Sequence, residues 1–263
     1  MALMDPAVRR AALGGRKVDP LAVLGDTFAS GSASMAARGW TLVDDTTTPA
    51  GDGRVLNPTT SVTPGTGLLL AIDAGGGTGS LHLNNNRGVQ WHKGPITAAR
   101  FGVECLVTLR NAADSGDPPG TNYRLAGLIA HDVHSDANAD HVSICWGTGN
   151  GAFPRAFWAH TVNGSSGTLG NTTPGFNVSS TLTGASRYLR MLRDFANSDR
   201  WVLQHKAAAG DAWTTIRDVQ RGVSAMPSTV YVGPTVFSDQ ATHDVAGRFA
   251  FIRFFTPAPS DFP

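Results

Sequence analysis

The densest group of side chains that could bind an ion lies between His131 and His141, in the stretch HDVHSDANADH. Nitrogen and oxygen donors in such a mixture suit calcium, zinc or manganese. Asp and Asn in a hairpin loop also form Asx turns without any ion, so a solvated loop stays the alternative. Nothing in the sequence requires a cofactor. Of these ions, calcium is the one that we consider for this loop. The candidate ligands are Asp132, His134, Asp136 and Asp140.

A second group of candidates consists of aromatic residues beside polar loops. Sugars place their apolar C–H faces on aromatic rings, while their hydroxyls bind a few well-placed polar groups. Tryptophans of a β-sandwich also serve as core residues, so both interpretations stay open; we expect Trp201 and Trp213, which lie within predicted strands, in the core. The candidate glycan-binding residues are Trp91, His92, Trp146, Trp158 and His160.

The sequence contains no obvious pair of catalytic carboxylates. Glycoside hydrolysis uses two carboxylates that flank the scissile bond, and Glu104 is the only glutamate. Its surroundings, VECLVTL, contain no acidic partner, and the aspartates are scattered among turns. The glycine-rich stretch at 75–79 lacks the Lys-Ser/Thr ending of a phosphate-binding loop. We therefore predict no enzymatic activity, with an aspartate-based hydrolase as the alternative.

Composition and alternation predict strands. The 263 residues include 31 Gly and 15 Pro, which is typical of a chain with many turns. Between Phe101 and Arg110, apolar residues recur at every second position. Tyr188–Arg193 and Arg200–Lys206 flank a polar turn and form a predicted hairpin, which Trp213–Arg217 extends to a three-strand meander.

Further strands follow from short apolar or alternating runs. We expect Phe249 and Phe251 to be buried, residues 46–67 to form a loop, and Ser80–Leu83 to pair with Val89–His92. The other predicted strands are Asp26–Ser30, Trp40–Val43, Leu68–Asp73, Tyr123–Ala130, His141–Gly147, Ser228–Val232 and Arg248–Phe255.

The segment from Arg187 to Phe255 resembles a known fold family. It contains RYLRMLRDFANSDRWVLQHKAAAGDAWTTI, STVYVGPTVFS and VAGRFAFIRFF, and it is similar to the C-terminal half of concanavalin A-like lectin/glucanase (laminin-G-like) jelly rolls. Phe28 and Trp40 stand in places comparable to the opening Asp-x-Phe and Trp of such folds, and YRLAGLIA is similar to their central strand. The glucanase motif E-x-D-x-x-E is absent, so the resemblance implies carbohydrate binding without catalysis.

We predict an all-β, two-sheet antiparallel jelly-roll sandwich over residues 26–256, with an N-terminal docking arm at 1–25 and a Pro-rich tail at 257–263. In the arm, two Asp-Pro pairs begin short helices that end at glycines. Such short helices need a surface to pack on, so the arm either docks on a larger assembly or lies across its own sandwich. The docking residues would be Asp5, Val8, Arg9, Leu13, Leu21 and Leu24.

One lectin-like domain behind a docking arm resembles the layout of phage or phage-like particle proteins, such as head spikes and tail fibres. We predict a carbohydrate-binding or adhesion module for host attachment, with cell-surface polysaccharide and particle proteins or sister subunits as partners. A purely structural spike base is the alternative. The net charge of +1 gives no reason to expect nucleic acid or membrane partners.

The first residues lack the apolar run and flanks of a secretory signal. We therefore expect synthesis in a bacterial cytoplasm and a place on a particle surface. In that compartment Cys105 and Cys145 are expected as buried thiols, with a disulfide between neighbouring strands as the alternative.

Overall fold

The computed structural model describes residues 19–29, 34–43, 57–73, 89–111, 113–116, 124–132, 141–148, 156–162, 186–222, 225–238 and 245–263. For residues 156–162 it describes the backbone alone. The strands are β1 (Thr41–Val43), β2 (Asn57–Thr63), β3 (Gly67–Asp73), β4 (Val89–Ile96), β5 (Arg100–Arg110), β6 (Arg124–His131), β7 (His141–Thr148), β8 (Ala156–Val162), β9 (Ser186–Asp194), β10 (Arg200–Lys206), β11 (Thr214–Gln220), β12 (Val230–Ser238) and β13 (Val245–Phe255). Short 3-10 helices cover Pro20–Leu24, Ala36–Arg38 and Pro259–Asp261.

The strands form two antiparallel sheets. One has six strands in the order β1-β4-β12-β6-β7-β8, and the other has seven in the order β11-β10-β9-β5-β13-β3-β2. The predicted all-β, two-sheet jelly-roll sandwich is therefore confirmed. No helix among the described residues is long and apolar enough to cross a membrane.

Alternating residues of both sheets fill one core between them. Strand β5 shows the rule most clearly, because Phe101, Val103 and Cys105 have zero exposure and belong to this core. Glu104 lies between two of them on the opposite face, where it pairs with Arg253. Burying this row removes apolar surface from water, which is the main favourable term in folding.

The predicted meander is confirmed as β9, β10 and β11. Strands β9 and β10 pair from Asp194–Arg200 to Tyr188–Lys206. The turn between them is tight, since Ser198 and Asp199 have φ values of 55° and 51°. Asp tolerates this left-handed backbone region better than most residues, which explains its place in the turn.

An ion pair inside the sandwich holds this turn. Arg193 and Asp199 both have zero side-chain exposure, and Arg193 Nε donates to Asp199 Oδ1 over 2.7 Å. Arg193 Nη2 also donates to the carbonyl oxygens of Met226 and Pro227, while Asp199 accepts from Trp201 Nε1 and from Met226 N. These bonds connect the meander to the segment that leads into β12 of the opposite sheet.

Two aromatic residues expected in the core lie instead on the outer face of the seven-stranded sheet. A register shift between Phe249 and Phe251 reverses the alternation of β13, so Phe249 is buried in the core and Phe251 is half-exposed. Trp213 precedes β11 and is half-exposed as well. Its ring lies 4.5 Å from the Arg190 guanidinium carbon and 4.7 Å from Lys206 Nζ.

Three local predictions are corrected or fall outside the described residues. Part of the predicted loop at 46–67 is strand β2, in which Pro58 is tolerated because β2 lies at the edge of its sheet. Of the predicted strand Asp26–Ser30, the described residues 26–29 are not a strand: Asp26 makes one bridge to Ile252, and the chain then turns at Phe28, where φ is 52°. The expected partner of Val89–His92, Ser80–Leu83, lies outside the described residues.

The described part of the arm lies on its own sandwich. Asp19 caps the helix Pro20–Leu24 and accepts hydrogen bonds from the backbone and hydroxyl of Thr256 after β13. Leu21 belongs to the core, and Leu24 packs against it. Leu21 is therefore covered by its own chain, which corrects its docking assignment, whereas Leu24 is half-buried and its docking role stays a prediction. Asp5, Val8, Arg9 and Leu13 lie outside the described residues.

Candidate functional site

The two faces of the six-stranded sheet differ in chemistry. Its inward face supplies apolar side chains, such as Leu128 of β6 and Ile144 of β7, to the core. Because successive side chains of a strand point to opposite faces, the alternate residues point outward. We call this outward surface the histidine face; the residues that define it are His92, His131, His141, Ser143, Tyr231 and Thr235.

Four rings form a row at one end of the histidine face. His131 lies in register with Tyr231 on one side and with His141 on the other. The His92 ring is edge-on to both neighbours, with centroid distances of 5.6 Å to His131 and 4.9 Å to Tyr231. The three imidazoles are 2 to 4 % exposed, whereas Tyr231 is half-exposed. Tyr231 is therefore the accessible edge of a buried aromatic row.

Further along β12, glycine and a buried hydroxyl shape the histidine face. A Cβ atom at Gly127 would lie 2.1 Å from the Ile144 carbonyl oxygen, and one at Gly233 would lie 1.8 Å from that of Trp91. Only glycine permits these close approaches of neighbouring strands. Thr235, in register with Gly127, has zero exposure, and its hydroxyl has no hydrogen-bond partner among the described residues.

The unmatched hydroxyl is the feature that points to a ligand. A buried polar group without a partner costs about 1–3 kcal/mol, and native structures contain few such groups. Thr235 lies four residues from Tyr231, which corresponds to about 13 Å along the strand. The histidine face thus has a buried hydroxyl at one end and an accessible aromatic edge at the other, with Gly233 between them on β12.

The outward positions of β7 provide no carboxylate for proton transfer or nucleophilic attack. The side chains at these positions are those of His141, Ser143 and Cys145, none of which is acidic. Burial raises the pKa of the Cys145 thiol, which stays protonated and unreactive at neutral pH. Cys105 and Cys145 are both free and buried, as expected.

The structure separates the predicted glycan-binding residues. His92 belongs to the histidine face, whereas the neighbouring Trp91 is half-buried and packs against the core. Trp146 is fully buried in the core, so its prediction as a sugar platform is corrected. The backbone of β8 places Trp158 and His160 in register with Cys145 and Ser143, and their side chains lie outside the described part.

The buried Trp146 ring has a cationic neighbour inside the sandwich. The Arg187 guanidinium carbon lies 4.8 Å from the Trp146 ring centroid. Burial, followed by the charge of Arg187, lowers the pKa of His205 to about 4. His205 is therefore neutral at physiological pH, next to a buried cation.

The metal prediction is covered by the described residues only in part. Asp132 is half-buried directly after His131, while His134, Asp136 and Asp140 lie outside them. Among the described residues, no group of three or more His, Cys, Asp or Glu side chains is arranged to hold a metal ion.

Tyr231 and Thr235 are absent from the residues that the sequence predicts for the site. The alternation in VYVGPTV puts three valines on one face, which leaves Tyr231 and Thr235 on the other. That local signal was sufficient to assign their face. Their proximity to His92 and to Gly127 depends on strand pairing between distant parts of the chain.

The comparisons with known proteins concern the fold. No family model and no curated protein matches the chain. The fold is similar to that of the Emp46p carbohydrate recognition domain in its potassium-bound form, with a TM-score of 0.57, 8 % identity and coverage of 90 % of this chain and 98 % of that one. The VIP36 exoplasmic/lumenal domain, in a Ca2+/Man2-bound form, has a TM-score of 0.53, 11 % identity and 91 % coverage of both chains.

The GH43 protein BlXynB from Bacillus licheniformis is also similar, with a TM-score of 0.56 and 14 % identity. The match covers 89 % of this chain and 39 % of that chain, so it spans about two fifths of the larger protein. At these identities the likeness concerns the fold alone. The chain folds as a lectin-like jelly roll.

Proposed function

We propose that this protein is a non-catalytic carbohydrate-binding module whose ligand binds along the histidine face. The observation that carries the proposal is the Thr235 hydroxyl, which is buried without a partner among the described residues. Sugar hydroxyls both donate and accept hydrogen bonds, so a sugar satisfies such a group in either direction. The fold shared with lectin domains, one of them in a Man2-bound form, supports the same ligand class.

Tyr231 supplies the second contact. Its ring is half-exposed, and His92 and His131 lie behind it with centroid distances of 4.9 and 6.0 Å. A sugar ring that stacks on Tyr231 finds an aromatic surface held in place by packing, which limits the entropy lost on binding. The ring-rich lining favours a sugar that stacks on Tyr231 at this end.

The absence of catalysis is part of the proposal. The outward residues of β7 lack the carboxylate pair that glycoside hydrolysis requires. A hydrolase that uses aspartates is the alternative, because GH43 proteins are among the structural neighbours. Release of reducing ends from a bound polysaccharide, abolished by one Asp→Asn change, would support the hydrolase and contradict a binding module.

Calcium is the ion that we propose for the loop after β6. Asp132 would provide one oxygen ligand, and Asp136 and Asp140 follow in the sequence. The VIP36 domain in its Ca2+-bound form supports the choice of ion. We expect calcium to raise Tm and Asp132→Asn to abolish the increase; no thermal shift and no metal by elemental analysis would refute the site.

The experiment for the sugar site begins with a glycan array, followed by titration calorimetry on the best ligand. Thr235→Val removes the unmatched hydroxyl without changing the side-chain volume much. We expect unchanged or higher Tm and about 3- to 10-fold weaker binding, the equivalent of one hydrogen bond. Tyr231→Leu should weaken binding further, while Thr214→Val, an exposed change in the other sheet, should leave it unchanged.

Two results would count against the sugar site. Equal sugar affinity of wild type and Thr235→Val would show that the Thr235 hydroxyl does not contact the ligand. An array without any binding would favour the alternative of a purely structural protein.

We further propose that the module is displayed on a phage or phage-like particle as a head spike or tail fibre component. The support is the layout of the sequence, in which residues 1–18 precede the helix that caps the sandwich. A variant without residues 1–18 keeps Leu21 and the Asp19 cap, so it should fold with an unchanged Tm. It should fail to join its particle or sister subunits, and normal assembly would refute the docking role.

A further inference from the structure

The outer face of the seven-stranded sheet is organised in rows that cross β13, β5, β9 and β10. Phe251 pairs with Leu106, Leu106 with Tyr188, and Tyr188 with Lys206. Trp213 lies beside Lys206 at the end of this row. We call these five residues the aromatic row. Neighbouring strands lie about 4.8 Å apart, so the row is about 14 Å long from β13 to β10.

A polar row runs parallel to the aromatic row. Arg253 pairs with Glu104 across the strands, and Gln204 accepts a hydrogen bond from Arg190 Nε over 2.8 Å. Gln204 Nε2 in turn donates to Thr215 Oγ1 over 3.1 Å. These bonds hold the polar side chains in place and leave them beside the rings of the aromatic row.

A third row on this face is buried, whereas the aromatic row is not. Leu192 and Val202 have zero exposure on this face, outside the main core. The tail crosses near them, with Asp261 accepting from Arg190 and the Pro263 carbonyl accepting from Arg200. Every member of the aromatic row stays half-exposed.

Lys206 gives the aromatic row a charge. Its Nζ lies 5.3 Å from the Tyr188 ring centroid and 4.7 Å from that of Trp213, and donates to the Ala209 carbonyl oxygen. Six arginines on this face have acidic partners: Arg100, Arg110, Arg190, Arg200, Arg248 and Arg253. Lys206 has no acidic partner among the described residues and is thus a surplus cation within the aromatic row.

We propose that the aromatic row is a second binding site, which takes a polysaccharide bearing carboxylates, such as a chain of uronic acids. Sugar rings stack on Tyr188, Trp213 and Phe251, and a carboxylate pairs with the Lys206 ammonium. A cation between two rings is already held by cation–π attraction, so little side-chain entropy is lost on pairing. The site lies on the opposite sheet and does not depend on Thr235 or Tyr231.

Two other occupants fit this surface less well. An added peptide strand needs a free sheet edge, but β13, β5, β9 and β10 are all paired on both sides. The N-terminal arm of this chain carries Arg9, Arg10, Arg16 and Lys17, the same sign of charge as Lys206. The aromatic row therefore best matches a negatively charged ligand that is recognised by side chains alone.

The test compares oligogalacturonic acid with the same oligosaccharide after methyl esterification of its carboxylates. We expect the full-length protein to bind the acid at low ionic strength, at least 10-fold more tightly than the ester, and more weakly as salt increases. Lys206→Gln should reduce affinity for the acid about 10-fold, and Tyr188→Leu should reduce it for both ligands. Arg200→Gln is the matched control, since Asp218 already pairs with Arg200.

The inference is overturned if acid and ester bind equally, if neither binds, or if Lys206→Gln changes nothing. Tighter binding of a poly-glutamate peptide than of the acidic sugar would also overturn it. Thr235→Val should leave the affinity for the acidic oligosaccharide unchanged. A weaker affinity in this variant would show that the ligand occupies the histidine face instead. Because Lys206 is at the surface, the charge variant tests the site even if Tyr188→Leu fails to fold.

Discussion

Replacing Asp199 by asparagine tests whether the buried ion pair holds the meander. Asparagine keeps the side-chain shape and tolerates the positive φ of 51° at this position. The change leaves the fully buried Arg193 without its counter-charge, and it turns the acceptor of the Met226 N–H into a donor. Removing one partner of a buried ion pair costs about 3–5 kcal/mol.

Asp218→Asn is the matched control. It makes the same chemical change in the pair between Arg200 and Asp218, whose side chains are 18 and 34 % exposed. The N–O distance there is 2.5 Å, compared with 2.7 Å in the buried pair. Partly exposed pairs nevertheless contribute only about 0–1 kcal/mol. Burial, rather than distance, should therefore decide the loss of stability.

The assay is urea unfolding followed by circular dichroism, with the free energy of unfolding from linear extrapolation. At about 2–4 °C per kcal/mol for a chain of this size, Asp199→Asn should lower Tm by about 6–20 °C. Asp218→Asn should lower Tm by less than about 4 °C. Equal losses of stability in both variants would refute the claim that burial determines how much each ion pair contributes.

Three further changes have expected outcomes. Gly127→Ala should lower the free energy of unfolding by about 1–3 kcal/mol or more, because its Cβ would lie 2.1 Å from the Ile144 carbonyl oxygen. A variant with unchanged Tm would contradict the close approach of the two strands. Asp19→Ala should cost about 1 kcal/mol and increase hydrogen exchange at Leu21 and Thr256, since it removes the cap and the tie to β13. For His205, whose folded pKa is about 4, stability should fall as pH decreases from about 6.5 to 4, because only the unfolded chain takes up a proton in that window. After allowance for solvent screening the loss is about 1–2 kcal/mol, and His205→Gln should flatten the profile relative to wild type.

The strands could be predicted where alternation is local and uninterrupted. Strand β5 is an example, because its period-two row is the row that the sandwich buries. The same rule was wrong for Phe251, since the register shift in β13 lies between two identical aromatic residues and leaves no trace in the spacing. Strand β2 was missed because Pro58 is typical of loops unless the strand lies at a sheet edge.

The candidate site could be predicted only in part. His92 was identified from its aromatic neighbour, and the His/Asp run pointed to the end of β6. The link between them is Tyr231, which pairs with His131 only after β12 inserts between β4 and β6. Trp213 was assigned to the core because it lies at a strand start, where position alone does not determine the face. Pairing of distant strands is the information that local patterns lack.

The two sheets thus offer surfaces of different chemistry. The histidine face combines a buried hydroxyl with packed rings, while the aromatic row carries a surplus ammonium. With both proposed sites occupied, the module would contact a stacked sugar and an acidic polysaccharide from opposite sides. Because the two sites share no residue, single substitutions should separate their contributions.

The most direct measurement of the proposed function is a crystal structure with the oligosaccharide selected on the glycan array. We predict a sugar hydroxyl within about 3 Å of Thr235 Oγ1 and a sugar ring against Tyr231. A ligand bound elsewhere, with Thr235 left without any sugar contact, would contradict the claim that the histidine face is the binding site.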